Sequence, residues 1–241
     1  MPNGVDPNDI YHNGGWYNRN GSGPNTPIVP ATSTFATLPP AAANVGTQYF
    51  VTNVGAGTGG AGGGTMFVAS TTRWKPAGGN ASIDSVDTPN VGVANTAEQQ
   101  PNPNHIVIPA GVIGNFDRLR LRLSMSKSGT VDTATVNIKF GPLGTVADPS
   151  IATFSFATTN QTDGAFIDFK RLSATTMQKL GSAGVDTGNA GPNPGAYPAP
   201  VVVANMDSTA MFLSITATMT AGAEACTLQD YTLEIYPTDS Q

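Results

Sequence analysis

Asp117–Ser128 reads DRLRLRLSMSKS, and its alternation decides the fold class. Leu119, Leu121, Leu123 and Met125 fall on one side of an extended chain, while Arg118, Arg120, Arg122 and Ser124 fall on the other. A period of two is the mark of a strand with one buried and one wet face. The next segment, SGTVDT, has turn composition. After it, TATVNIKFG puts Ala134, Val136, Ile138 and Phe140 inward and Thr135, Asn137 and Lys139 outward. The two alternating runs are expected to pair as an antiparallel hairpin.

Further runs follow the same pattern: IATFSFATT, GAFIDFKRL, PVVVANM, AMFLSITATMT and TLQDYTLEIYP. In the last, Tyr231, Leu233 and Ile235 alternate with Thr232 and Glu234. About eight short strands with turns every ten or so residues predict an antiparallel β-sandwich, with a jelly roll as the first choice. This domain is placed at residues 101–241. The stretch GSAGVDTGNAGPNPGAYPAP (181–200) lacks periodicity and is expected to be an exposed loop, either functional or a passive crossover.

The rest of the chain supports an all-β reading. Only 11% of its 241 residues are charged, where an ordinary domain has roughly 25%. The 28 glycines and 19 prolines, with abundant Thr and Asn, oppose long helices. Residues 1–37 are Pro-, Asn- and Gly-rich but carry Ile10, Tyr11, Trp16 and Tyr17. They are expected to form an extended arm that docks those side chains on a partner, since aromatics are the usual interface anchors. Residues 38–79 are expected to form a small β-hairpin module, with TQYFVTNV and TMFVAS as strands and TRWKPAGG as the return. Residues 80–100 are read as a connector that becomes the first strand of the sandwich.

Chemistry-bearing patterns are sparse. Gly55, Gly57 and Gly60 fit G-x-G-x-x-G, but a β-rich run follows where a phosphate-binding fingerprint needs a helix. The glycines are therefore expected to form a hairpin connection. His12 and His105 lie in different regions, and no nucleophile elbow, zinc signature or calcium loop is present. Asp163, Asp168 and Asp186 are carboxylates that the sequence cannot pair with one another. No catalytic residue, cofactor or metal is expected. The single cysteine, Cys226, reads as a small buried hydrophobe. Arg118, Arg120 and Arg122 form a basic stripe, read either as a solvated face with cross-strand partners or as an inter-subunit or acidic-ligand surface. The formal charge of -5 argues against a nucleic-acid partner. Neither a membrane span nor a cleaved leader is expected.

The module resembles a small unit that recurs in structural proteins of tailed bacteriophages. The matching positions are Leu38, Pro39, Gly46, Val51, Thr52, Asn53, Val54, Gly55, Trp74, Lys75 and Pro76, with Gly55–Gly64 as an unusually glycine-rich departure. The C-terminal part is more loosely similar to sandwich domains found after that unit, through Ile108–Gly111, the R-L-R-L strand and TATVNIKFG. The resemblance implies a non-enzymatic virion protein, a tail fibre or tail adaptor, with a capsid decoration protein or head fibre as the alternative. It implies a homotrimer in contact with other virion proteins, made in the host bacterial cytoplasm and resident in the virion. A carbohydrate-binding, receptor-recognising module is a further alternative. Within the module, Leu38, Val51, Val54, Trp74 and Pro76 are the expected stabilising residues.

Overall fold

The computed structural model describes residues 9–12, 15–18, 26–27, 31–33, 38–39, 41–51, 65–69, 73–77, 81–86, 96–100, 106–156, 158, 162–184 and 199–238. Among the side chains named above, those of Ile10, Tyr11, Trp16, Tyr17 and Asp163 lie outside the described set. So do His105, Val54, the glycines 55–64 and Asp186, and most of the loop expected at 181–200.

The first strands are β1 (Asp9–His12), β2 (Gly15–Asn18) and β3 (Thr26–Pro27), which form a three-stranded antiparallel sheet within the segment read as an arm. Next come β4 (Ala31–Ser33), β5 (Gln48–Val51), β6 (Thr65–Ala69) and β7 (Trp74–Pro76), in that order across a four-stranded sheet. β5 and β6 pair antiparallel, so the glycine-rich stretch joins the two strands of a hairpin. β4 adds to β5 in parallel, so the module's sheet begins before residue 38.

The remaining strands build the sandwich. They are β8 (Ala81–Val86), β9 (Ile106–Ile108), β10 (Arg118–Lys127), β11 (Ala134–Gly141) and β12 (Ser150–Phe156). Then follow β13 (Thr162–Ser173), β14 (Thr176–Gly184), β15 (Val201–Val202), β16 (Met211–Met219) and β17 (Cys226–Tyr236). One sheet has the order β15-β14-β13-β10-β17-β8 and the other β12-β11-β16-β9. Strands β8 to β11 pair in turn with β17, β16, β13 and β12. That long antiparallel strip then curls so that β10 meets β17 and β11 meets β16. This is the jelly-roll topology, with β14 and β15 extending one edge.

The alternation read from the sequence describes the core correctly. Leu119, Leu121, Leu123 and Met125, Ala134, Val136, Ile138 and Phe140, and Tyr231, Leu233 and Ile235 are all buried in one hydrophobic cluster. The expected hairpin is not formed. β10 and β11 lie in different sheets, and the turn between them carries the chain across the sandwich. The reason is that alternation shows which face is buried, not which strand supplies the backbone partner. Both edges of β10 are occupied by β13 and β17, each giving a long register of its own. A second correction concerns β14, which runs through Gly184 into the stretch read as a loop. PVVVANM contributes only the two residues of β15.

The register sets which groups share an end of the sandwich. Arg118 faces Lys170 and Tyr236, and Ile235 faces Ala81, so β8 and β10 start where β13 and β17 finish. The module, which ends just before β8, is therefore joined to this end. At the opposite end two carboxylates clasp the crossing loops. Glu224 accepts the N–H groups of Val131 (2.6 Å) and Asp132 (3.1 Å), and Asp132 accepts those of Ala223 (2.9 Å) and Glu224 (3.2 Å). Lys127 adds a buried positive charge 3.5 Å from Glu224 and donates to the carbonyl of Asp132.

Candidate interaction surfaces

Because β10 lies between β13 and β17, its outward arginines meet side chains from both neighbours. Arg120 faces Asp168 on one side and Glu234 on the other. Its Nε and Nη2 donate to the two oxygens of Asp168 at 2.8 and 3.1 Å. The guanidinium also lies 5.1 Å from the centre of the Tyr236 ring. Hydrogen bonding and charge from Asp168 push the Arg120 pKa further up, so it is a fixed cation. Arg122 lies 4.6 Å over the ring of Phe166. The Tyr236 hydroxyl donates to Glu234 at 2.7 Å, and that bond, with burial and the Glu234 charge, raises the phenol pKa. Arg118, opposite Lys170, is exposed.

The stripe thus has the cross-strand partners of a solvated sheet face, and it also carries aromatic rings. Lys170 Nζ stands 4.9 Å over Phe116, which is 47% exposed and held at φ 68°. A bulky residue in the left-handed region is an outlier that its surroundings must enforce. Phe116, Phe166 and Tyr236 therefore flank the basic residues on one face, whereas Phe140 and Phe169 are fully buried. Phe166 escapes a sequence reading because GAFIDFKRL places a phenylalanine and a charged residue on each face. The one available signal was that Phe166 and Asp168 share parity, opposite to Ile167 and Phe169.

In the module, Trp74 is the central side chain. It is 1% exposed, it meets the Tyr49 ring edge-on at 5.2 Å and 86°, and its indole N–H donates to the Pro39 carbonyl at 2.6 Å. Val51, Phe67 and Pro76 are buried with it, and Leu38 packs half-buried against the core. Arg73, one residue earlier, was missed as a site. It turns away from the module to form a buried ion pair with Asp117 of the sandwich. A lone arginine beside a tryptophan gives no sequence signal for a partner 44 residues away.

The expected anchors of the arm share one hairpin. Ile10 is paired with Tyr17 and Tyr11 with Trp16 across β1 and β2. Cys226 is buried, and burial pushes its thiol up to about 12 against a small opposing effect of Lys127. Asp168 is taken by Arg120, and Asp186 is outside the described residues. Among the described residues, no three His, Cys, Asp or Glu side chains converge as metal ligands.

No protein-family model matches the chain, and no curated protein matches it significantly.

Proposed function

We propose that this protein is a non-enzymatic structural component of a bacteriophage particle, a tail-fibre or tail-adaptor subunit that docks through its N-terminal arm and presents the jelly roll. The observation that carries the reading is the Trp74-centred module, built on the residues that resemble the phage unit and joined to one end of the sandwich. Leu38, Val51, Trp74 and Pro76 all contribute to its packing. A module this small has few core groups of its own, which favours packing against copies of itself around a cyclic axis. The expected assembly is a homotrimer that contacts other virion proteins. Light scattering should give three times the chain mass, and a monodisperse monomer at micromolar concentration removes the trimer. Electron microscopy of particles carrying labelled protein separates the two placements: label at the tail supports the fibre or adaptor, and label on capsid faces supports a decoration protein or head fibre.

A second reading is supported by the outward rings. Phe116, Phe166 and Tyr236 beside Arg118, Arg120 and Arg122 offer a mixed aromatic and cationic surface suited to a sugar bearing acidic groups. Glycan-array binding that is lost in Phe166→Ala supports it, and an empty array for the full chain removes it.

A further inference from the structure

The contact between module and sandwich draws on three distant parts of the chain. Arg73 and Asp117 form its ion pair, with side chains 7% and 0% exposed. Asp117 Oδ2 also accepts the Gly114 N–H at 2.7 Å. Thr238 then binds both charges through its backbone. Its N–H donates to Asp117 Oδ1 at 2.8 Å, and its carbonyl accepts from Arg73 Nη2 at 3.1 Å. The Thr238 hydroxyl adds only long contacts, to Asp117 Oδ1 at 3.4 Å and to the Asn115 carbonyl at 3.5 Å.

The loop beneath this pair is held in a strained form. Phe116, with its positive φ, donates its N–H to the Arg171 carbonyl at 2.8 Å, and the Arg171 N–H donates to the Asp117 carbonyl at 3.0 Å. A Cβ added at Gly114 would fall on the Arg73 guanidinium, so the loop closes tightly around that side chain. Burying an ion pair costs more than the attraction returns unless the remaining hydrogen-bonding groups are satisfied. Thr238 satisfies one group on each partner, and β17, which delivers it, lies between β10 and β8 in the sheet.

We propose that Thr238 is a latch: by hydrogen-bonding both members of the buried Arg73–Asp117 pair, its backbone holds the module docked on the sandwich. The segment that supplies the latch directly follows β17, so docking is tied to a strand of the sandwich sheet. The latch goes beyond the virion reading and does not depend on it.

Hydrogen exchange of the full chain tests it. Thr238→Pro deletes the N–H that Asp117 binds, whereas Thr238→Ala keeps both backbone groups. The latch requires amides of 65–69, 73–77 and 113–117 to exchange at least about tenfold faster in Thr238→Pro, with β10, β11, β13 and β16 unchanged and Thr238→Ala like the wild type. Unchanged module exchange in Thr238→Pro overturns it. So does acceleration spread evenly over the sandwich strands, which makes residue 238 a general stabiliser. A chain ending at Pro237 gives the same reading if the proline variant does not fold. If neither variant folds, the latch is overturned in favour of a global need for the segment after β17.

Discussion

The indole N–H of Trp74 donates to the carbonyl oxygen of Pro39, 2.6 Å away and 35 residues earlier in the chain. This bond ties the entry of the module to its last strand. Tyr49 from β5 closes on the same ring. Trp74→Phe keeps an aromatic body but leaves the Pro39 carbonyl without its donor, at a cost of about 1–3 kcal/mol. Trp74→Ala also empties a fully buried site, at about 3–5 kcal/mol. Hydrogen exchange should show both losses in residues 41–51 and 65–77, with the strands of the sandwich keeping their protection. Equal loss across the sandwich removes the idea that Trp74 acts locally.

The Arg120–Asp168 pair is well aligned yet about one-third exposed on both sides, at 35% and 30%. Water screens such a pair, so its coupling is expected at about 0.2–1 kcal/mol. A double-mutant cycle of Arg120→Ala and Asp168→Ala in urea measures it. A coupling above about 2 kcal/mol means that the face is dehydrated by another protomer. In that case Arg118→Glu should lower the assembly state seen by light scattering.

Glu98 reports on acid stability. It accepts Asn137 Nδ2 at 2.7 Å and Thr216 Oγ1 at 2.5 Å, and Lys139 Nζ is 3.2 Å away. Burial alone would raise its pKa, but these hydrogen bonds and the Lys139 charge outweigh burial and hold it below the ordinary 4.5. A folded-state pKa below the unfolded one means that the ionised form stabilises the fold. That contribution is complete above the unfolded value and is lost as pH falls through the lower folded one. The urea midpoint of Glu98→Gln should lie below that of the wild type at pH 7, and the gap should close as pH drops below about 4. A gap that widens on acidification would falsify this assignment.

Strand β8 and Glu98 both precede residue 101, yet both serve the sandwich. β8 covers the edge of β17, and the Gln99 N–H donates to the Ala217 carbonyl at 3.0 Å. A fragment of residues 101–241 therefore exposes a long strand edge that a fragment of residues 80–241 covers. The longer fragment should be soluble and unfold at a higher urea concentration, and the shorter should associate or precipitate. Equal midpoints for the two fragments count against β8 as an integral strand.

The strand faces were legible because burial on one side of a strand imposes a period of two on the side chains. From DRLRLRLSMSKS alone, the inward leucines and outward arginines are correctly divided. The antiparallel pairing of β5 and β6 on either side of the glycine-rich stretch and the buried Cys226 were legible for equally local reasons, turn composition in one case and apolar surroundings in the other. The pairing of β10 was not, since any strand with matching alternation satisfies the same pattern, and only the competition among all the strands for its two edges decides the outcome. The Arg73–Asp117–Thr238 contact belongs to the same class. It depends on which distant segments the jelly roll brings together, and no spacing along the sequence encodes that. By itself the sequence determined the strand faces, through local side-chain periodicity. Only the tertiary structure decided the partners of those faces, because backbone pairing and buried charge are satisfied across the whole chain at once.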